Sequence, residues 1–463
     1  MRKIFFTLTL CAATALPVLA QNTDIESLSG LQFNFGNPGA RSLGMGGAFL
    51  GLADDASAAE ANPAGLTILR KPEVSLELRN YQEQQLFSTS GTFPEINRTA
   101  FSHYSQRVDP TFASFVMPVK NNFTFGVYYH EPLRNEGSGQ VVPVRNDFTG
   151  EVKTNVPNFY LPTRGTPVDK KQCDALNAKD PNGAACAEYR LLPFLSALDV
   201  RERTYGVALA GKIGNFSIGG TARYQTFRES SFTFRVTSTF DFSSISVQQT
   251  GGLAPNGDLT AKDAHDVTFT GGFKWAPSDK FSIGGSYKQG AKFKAPTFAA
   301  TDTTNLLFEK VADTTFHIPD VYGVGVSFSP IPVLTINADA VHVTYSHLVD
   351  DFVSVNATIR ALDKAYTAKD ITELHVGGEY FFSTKVPFAI RAGYWRDPAH
   401  SVQFNGPLTT PDSVANAILY PKGDSANHIS IGGGLAWPRF QIDAAYDMAK
   451  HYRVGSISAV TRF

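Results

Sequence analysis

The amino-acid sequence predicts an all-β protein, a transmembrane barrel of fourteen antiparallel strands with an N-terminal plug in its lumen. Segments of about ten residues, in which apolar residues alternate with small or polar ones, recur along most of the chain. Short turns alternate with long polar connections, which is typical of outer-membrane barrels. The composition of 39 Gly, 36 Phe and 17 Tyr against 4 Met also favours strands over helices.

Charge and hydropathy exclude other classes of protein. The 463 residues include 41 Lys and Arg against 42 Asp and Glu, so no basic excess indicates a nucleic-acid partner. After the N-terminal region, the sequence has no run of 18 or more apolar residues, which excludes a membrane protein built from several helices.

Residues 1–20 have the features of a secretory signal peptide. Arg2 and Lys3 precede an apolar stretch that ends at Ala20, where the small residue suits cleavage. A retained anchor is disfavoured because the stretch is short and contains Pro17. A lipoprotein signal is disfavoured because Leu10, rather than a small residue, precedes Cys11. The sequence therefore predicts an exported protein.

Cys173 and Cys186 are the two cysteines that remain after cleavage. An even pair in an exported chain indicates a disulfide. The alternatives are redox catalysis, which needs a closer Cys-x-x-Cys spacing, and metal binding, which needs more ligands nearby. We therefore predict a structural disulfide, and no metal site and no cofactor.

The predicted strands share the alternating pattern, and they start near residues 72, 110, 122, 201, 215, 264, 280, 319, 333, 371, 387, 427, 438 and 452. An even number of strands returns the chain to the side of the barrel where it began. The last strand ends on Phe463, and an aromatic C-terminal residue is a weak signal for outer-membrane assembly.

Charged residues lie on the second face of these strands. They are Lys212, Arg223, Lys274, Lys288, Asp339, Glu379, Arg391 and Asp443. In a membrane barrel these side chains would face a wet lumen and the apolar face would meet lipid. The alternative is a soluble sheet whose polar face is solvated. The signal peptide, the strand length and the unequal connections favour the membrane barrel.

The segment 21–71 does not follow the strand pattern, and residues 72–463 are predicted to form the barrel. Gly44, Gly46 and Gly47 lie in a stretch rich in small residues. A nucleotide-binding loop is excluded because the Gly-x-Gly-x-x-Gly spacing and a following Lys-Ser/Thr are both missing. A compact plug folded inside the barrel explains the segment better, since small residues allow close packing.

This segment resembles the N-terminal hatch of the FadL/TodX family of outer-membrane transporters. The resemblance rests on Gly39-Ala-Arg-Ser-Leu-Gly-Met-Gly-Gly-Ala48, on Ala53-Asp-Asp-Ala56 and on Asn62-Pro63-Ala64. It implies a monomeric barrel in the bacterial outer membrane that is plugged by its N-terminus. It also implies passive inward transport of long-chain fatty acids or other hydrophobic compounds. Asn62, Pro63 and Ala64 match the hatch motif, so the resemblance implies a gating role for them.

Two further sets of residues are candidates for contact with such a substrate. Leu191, Phe194, Leu195 and Leu198 have helical spacing in a long polar connection, and would form an extracellular capture surface. The alternative is that they pack against a neighbouring loop. Arg223, Lys288 and Arg391 are candidates for binding a carboxylate in the lumen. The alternative is that each is an ordinary lumen charge paired with an acid. The same two interpretations apply to Arg41.

Three other functions are alternatives for such a barrel. A barrel lipase would need a nucleophile and a base, and the sequence has no Gly-x-Ser-x-Gly elbow. A similar hatch occurs in barrels that resemble the shuttle proteins of type IX secretion, which bind protein partners. A general diffusion porin is disfavoured by the plug. The expected partners are a hydrophobic small molecule, outer-membrane lipid and lipopolysaccharide, without nucleic acid.

Overall fold

A computed structural model describes residues 35–88, 100–120, 122–141, 143–145, 152–154, 158–190, 194–236, 242–250, 264–302, 307–350, 364–410, 413–414, 417, 423, 425–450 and 452–463. Strands dominate this part of the chain. They are β1 (Glu73–Ser88), β2 (Ala100–Lys120), β3 (Phe123–Val141), β4 (Pro143–Arg145), β5 (Val152–Thr154), β6 (Asn158–Pro162), β7 (Cys186–Arg190), β8 (Phe194–Ile213), β9 (Phe216–Val236), β10 (Phe242–Thr250), β11 (Ala264–Ser278), β12 (Phe281–Lys288), β13 (Lys292–Asp302), β14 (Leu307–His317), β15 (Val321–Ile331), β16 (Leu334–Val343), β17 (Tyr366–Thr367), β18 (Ile371–Phe382), β19 (Phe388–Asp397), β20 (Gln403–Phe404), β21 (Ala426–Ala436), β22 (Phe440–Met448) and β23 (Tyr452–Arg462).

Fourteen of these strands form a closed antiparallel barrel, in the order β1, β2, β3, β8, β9, β11, β12, β15, β16, β18, β19, β21, β22 and β23. The first strand pairs with the last, from Glu73 opposite Arg462 to Glu83 opposite Tyr452, which closes the ring. The prediction of a fourteen-stranded barrel is confirmed. Most strands begin within two residues of their predicted starts, whereas β2 and β8 begin earlier, at Ala100 and Phe194.

The long connections also contain strands, which the sequence analysis did not predict. Strand β10 pairs with β9 and β13, and β13 forms a hairpin with β14, so the sheet extends beyond the ring. The pairs β4–β5, β6–β7 and β17–β20 are separate small sheets. We call the end of the barrel that bears these connections the loop end, and the opposite end the turn end.

One long connection is held by a disulfide between Cys173 and Cys186, whose Cα atoms are 5.4 Å apart. Cys173 lies on the helix Lys170–Lys179, and Cys186 begins β7. The Asn177 side chain adds two hydrogen bonds, since it donates to the Cys186 carbonyl (2.9 Å) and accepts from the Cys186 N–H (2.7 Å). The helix and the β6–β7 hairpin are therefore tied together.

Each barrel strand presents one apolar and one polar face. On β11, for example, Val267 and Phe269 are more than half exposed, whereas the alternating residues Thr268 and Thr270 are buried. Most of the predicted lumen charges, among them Lys274, are buried on the inner face. An apolar outside and a polar inside are the pattern of a barrel in lipid. Within the described ranges, no helix is long and apolar enough to cross a membrane.

Residues 35–71, which we call the inner segment, lie inside the ring. The segment contains the helices Ala40–Gly44 and Ala58–Ala61 and the 3₁₀-helix Pro63–Ile68. The Ala56 carbonyl accepts a hydrogen bond from Ser114 on β2 (3.3 Å), and the Phe49 N–H donates to Asp339 on β16 (2.6 Å). Because β2 and β16 are on opposite sides of the ring, a segment bound to both occupies the lumen.

Candidate functional site

The inner segment approaches the barrel wall where the strands carry glycine. A Cβ atom on Gly284 of β12 would lie 2.1 Å from the Leu50 carbonyl oxygen, and one on Gly272 of β11 would lie 2.3 Å from Asn62 Oδ1. Neither distance leaves room for a side chain. The glycines on the inner face therefore shape the wall to fit this segment.

Asn62 connects the inner segment to the barrel wall. Its side chain is fully buried, and Nδ2 donates to the carbonyls of Leu50 (3.1 Å) and Phe273 on β11 (3.0 Å). Its Oδ1 accepts from the Ala64 N–H (3.3 Å), and Pro63 occupies the first turn of the 3₁₀-helix. The gating role of Asn62, Pro63 and Ala64 stays a prediction, and these contacts are where such a gate would act.

The predicted cation Arg391 belongs to an ion-pair network rather than to a cavity. Its Nε donates to Glu379 (2.7 Å), and its Nη1 lies 2.9 Å from an Asp443 carboxylate oxygen. Arg41 of the inner segment joins the network through Glu379 (3.0 Å) and Asp54 (2.5 Å). Burial would lower the pKa of Arg41, but the nearby carboxylates raise it well above its usual value. Both arginines are therefore paired with acids.

The other two predicted cations, Arg223 on β9 and Lys288 on β12, line one pocket. The pocket encloses about 400 Å³ of empty space, including its open mouth. It lies between the wall and the loop side of the inner segment, which contributes Phe35 and Glu60. This pocket is the candidate functional site.

Glu60 forms the charged floor of the pocket. Its carboxylate lies 3.1 Å from the Lys288 ammonium group and 3.7 Å from His130 Nδ1, and it accepts a hydrogen bond from the Tyr128 hydroxyl. Burial would raise the pKa of Glu60, but the charges of Lys288, His130 and Arg223 hold it well below its usual value. Glu60 is therefore ionised, and Lys288 is its counter-ion.

Arg223 is held by neutral oxygens. Its Nε and Nη2 donate to Thr268 Oγ1 (3.2 and 3.0 Å), and Nη2 also donates to the Gln289 carbonyl. Among the residues that the structure describes, no carboxylate oxygen lies within 4.0 Å of this guanidinium group. Arg223 is thus better suited than Lys288 or Arg391, which pair directly with acids, to receive the carboxylate of a ligand, and its charge also acts on the pocket residues Glu60 and Glu202.

An apolar cluster adjoins the pocket at the loop end. Ile318 and Val321 belong both to the pocket lining and to the cluster. The Phe227 ring stacks on Phe293 and Phe316, with centroid distances of 4.9 and 4.6 Å. The pocket therefore joins a charged wall, which carries both acids and cations, to an apolar one. The sequence analysis missed this cluster.

One sequence signal could have revealed the apolar cluster. Arg223, Gln225 and Phe227 follow one another at every second position of β9, and all three are buried on the inner face. Because the inner face of a barrel strand is otherwise polar, a large apolar residue on it points to an apolar site in the lumen.

The proposed capture surface is arranged differently from its prediction. Leu191 lies outside the described residues, and Phe194, Leu195 and Leu198 belong to strand β8. The helical arrangement is therefore wrong, because an extended backbone sends successive residues to alternate faces. A short apolar run does not by its spacing distinguish a helix from a strand. The capture role itself stays a prediction.

A closed ring of strands with a chain segment inside it places this protein in the class of plugged β-barrels. Comparison with known proteins identifies the particular fold. No protein-family model and no curated protein matches the chain. A solved FadL homologue of Pseudomonas aeruginosa matches with a TM-score of 0.59 and 16% identity, over 93% of this chain and 99% of that one. The toluene transporter TodX of Pseudomonas putida matches at 0.56 and 13%, over 92% and 99%.

A third solved structure, the CymD monoaromatic hydrocarbon channel, matches with a TM-score of 0.54 and 14% identity, over 93% of this chain and 99% of that one. At these identities the comparison establishes the fold. The chain has the fold of the FadL/TodX channels, so the fold that the resemblance implied is confirmed.

Proposed function

We propose that this protein is an outer-membrane channel for the passive uptake of hydrophobic small molecules, with the inner segment as its hatch. The observation that supports the proposal most strongly is the pocket between Arg223 and the apolar cluster, which lies directly on the inner segment. Proteins of the same fold include a toluene transporter and a monoaromatic hydrocarbon channel. A small cavity with both polar and apolar walls suits this function better than protein secretion or lipid hydrolysis.

The substrate class that we propose is long-chain fatty acids. A fatty acid has one anionic group and an apolar tail, and the pocket offers a cation and an apolar wall in the same cavity. The carboxylate would bind Arg223, and the tail would contact Ile318, Val321 and the neighbouring phenylalanines. A neutral hydrocarbon would use only the apolar wall, so the buried guanidinium favours an anionic amphiphile.

Entry and exit of the substrate follow from the position of the pocket. The substrate would arrive from the loop end, where Leu191, Phe194, Leu195 and Leu198 are the candidate capture residues. It would leave only after the inner segment moves, since this segment forms the floor. We also propose that the barrel is a monomer, contacts lipid and lipopolysaccharide around its outer face, and needs no cofactor.

Ligand binding by the purified protein tests the substrate class. Mass spectrometry would first identify molecules that co-purify with the barrel in mild detergent. Displacement would then be measured with a long-chain fatty acid, its methyl ester and toluene. We expect Arg223→Gln to weaken binding of the acid about tenfold or more and to leave binding of the ester nearly unchanged.

Lys212→Gln is the matched control, because Lys212 is also on the inner face but lies near the turn end of β8. Binding of the acid should be unchanged in this variant. If the acid and the ester bind equally and Arg223→Gln affects neither, the fatty-acid assignment is wrong. If no hydrophobic compound binds to the wild-type barrel, the uptake function is wrong and a protein partner becomes the better hypothesis.

The capture surface has its own test. Leu195→Glu should slow fatty-acid binding to intact barrels in a membrane and leave the heat-modifiable gel migration of the folded barrel unchanged. An unaltered association rate would dismiss Leu195 as a capture residue, without bearing on the pocket.

A further inference from the structure

Three side chains that commonly bind metals meet at the loop end of the barrel. His317 ends β14, Asp320 precedes β15, and His347 begins the short helix His347–Asp350 after β16. One ligand atom from each residue lies within 4.8 Å of the other two. No metal site was predicted from the sequence, because these three residues form no compact motif and lie far from the cysteines in the chain.

We propose that His317, Asp320 and His347 bind a Zn²⁺ ion. Two imidazoles and a carboxylate with a fourth position for water form a common tetrahedral zinc site. With bonds of about 2.0–2.1 Å to zinc, the ligand atoms of a tetrahedral site lie about 3.4 Å from one another. Here they lie within 4.8 Å of one another, so binding requires side-chain movements of about 1 Å. Imidazole ligands favour zinc over Mg²⁺ or Ca²⁺, which prefer oxygen.

The carboxylate of Asp320 is held in place by its surroundings. Its Oδ1 accepts from the Gly290 N–H (2.6 Å), and its Oδ2 accepts from the Tyr287 hydroxyl (3.1 Å). The Asp320 backbone is paired with Thr344, whose N–H donates to the Asp320 carbonyl (3.1 Å) and whose Oγ1 accepts from the Asp320 N–H (2.9 Å). Oδ2 also accepts from the Tyr322 hydroxyl (3.4 Å). A carboxylate oxygen has two lone pairs, so Oδ1, with a single hydrogen bond, is the oxygen that keeps acceptor capacity for a metal.

The same threonine orients His347. Thr344 Oγ1 lies 3.2 Å from His347 Nδ1, which leaves Nε2 as the nitrogen for a metal. Hydrogen bonds of this kind to the other ring nitrogen are the usual support of metal-binding histidines. The His317 and His347 rings are stacked, with centroids 4.3 Å apart and planes 11° apart, so one ring must rotate out of this stack before both imidazoles can bind one ion.

The alternative is that the two rings only pack together and that Asp320 only anchors the adjacent backbone. Lys292 is opposite His317 in the β13–β14 pairing and adds a positive charge to the surroundings. Its side chain is exposed, so water screens that charge. The convergence of three different ligands from three chain segments favours the metal site, because packing alone does not require a carboxylate beside two imidazoles.

A bound ion would stabilise the apolar cluster that adjoins the pocket at the loop end. Ile318, Tyr345 and Leu348 lie within two residues of these ligands in sequence, and all belong to the apolar cluster. A zinc ion would join the β14–β15 turn to the segment after β16, and so hold both parts of the cluster in one arrangement. The proposal does not depend on the identity of the transported substrate.

Direct measurement of zinc binding tests the proposal. The full barrel would be purified with a tag that contains no histidine, freed of metal with a chelator, and titrated with Zn²⁺ by calorimetry. We expect one Zn²⁺ ion per barrel and an affinity at least about tenfold lower in His317→Gln and in His347→Gln. His342→Gln is the matched control, since His342 is on the adjacent strand β16 and outside the cluster.

Retention of heat-modifiable migration would show that each variant is folded. Wild-type affinity that is retained in both His317→Gln and His347→Gln would overturn the proposal, as would wild-type protein that binds no Zn²⁺. Equal competition by Mg²⁺ would also overturn it, because an imidazole site disfavours that ion. X-ray absorption at the zinc edge should show two nitrogen ligands from imidazole, which a surface-bound ion would not give.

Discussion

The carboxylate of Glu60 lies 3.1 Å from the ammonium group of Lys288, and this ion pair joins the inner segment to strand β12. Both residues are buried, with exposed fractions of 4% for Glu60 and 7% for Lys288. A buried pair contributes little net stability, but removal of one partner leaves an uncompensated charge away from water. The pair therefore serves as a charge-sensitive attachment of the proposed hatch to the wall.

Removal of the cation alone should loosen the inner segment. Lys288→Met leaves Glu60 buried without its counter-ion, which costs about 3–5 kcal/mol for pairs of this type. We expect higher ion conductance through barrels in planar bilayers and faster protease cleavage within residues 35–71. The double variant Glu60→Gln with Lys288→Met should return both readouts toward wild type. A single variant that stays as closed as wild type would show that this ion pair does not retain the hatch.

Acid should release the same attachment, and only at low pH. In the folded protein the pKa of Glu60 is well below its usual value, because the charges of Lys288, His130 and Arg223 outweigh burial. A depressed carboxyl pKa contributes stability that is present above the unfolded pKa, about 4.3, and is lost as the pH falls through the folded pKa.

Conductance that depends on Glu60 should accordingly be flat between pH 7 and pH 5 and rise only below about pH 4. Recordings of wild type and Glu60→Gln over this range isolate its contribution, because other acids titrate in both proteins. If the difference in conductance between wild type and Glu60→Gln varies with pH between pH 5 and pH 7, the depressed pKa of Glu60 is contradicted.

The barrel strands could be predicted from sequence because lipid and lumen impose opposite demands on successive residues. Strand β22, for example, alternates Phe440, Ile442 and Ala444 with Gln441 and Asp443. Strands β10, β13 and β14 were not predicted because they extend beyond the ring, where lipid and lumen no longer impose an alternating pattern. The apolar run before Leu198 was misassigned for the same reason, since it lies where β8 extends beyond its predicted start.

The candidate site was predictable only in part. The face of each strand identified Arg223, Lys288 and Arg391 as lumen cations, but not their partners. Glu60 is 228 positions from Lys288 in sequence, and nothing local marks the contact. The zinc ligands were missed for a similar reason, because Asp320 and His347 meet only through the pairing of β15 with β16.

Loss of the disulfide should affect one connection and leave the barrel intact. Replacement of both Cys173 and Cys186 by Ser opens a loop with a sequence separation of 13. In the chain-entropy model such a loop is worth about 3 kcal/mol. We expect faster protease cleavage between the helix Lys170–Lys179 and β7, with unchanged heat-modifiable migration. A barrel that fails to assemble without the bond would show that this connection is needed for folding.

The fit between Asn62 and the wall can be tested with two adjacent glycines of β11. A Cβ on Gly272 would lie 2.3 Å from Asn62 Oδ1, whereas one on Gly271 would have no neighbour within 4 Å. Gly272→Ala should therefore displace Asn62 and break its hydrogen bonds to Leu50 and Phe273, each worth about 0.5–1.5 kcal/mol. We expect higher conductance and lower thermal stability in Gly272→Ala, and wild-type behaviour in Gly271→Ala.

A double variant separates a lost contact from a damaged strand. Asn62→Ala alone should also raise conductance, since it removes the same hydrogen bonds and leaves buried carbonyls without their donor. In that background Gly272→Ala should add less than it does alone, because the Asn62 oxygen is gone and only the contact of the added Cβ with Pro63 Cδ (3.1 Å) remains tight. The two effects should therefore be non-additive. Additive effects would mean that Gly272→Ala acts on β11 itself, and Asn62 would then lose its assignment as the contact that holds the hatch.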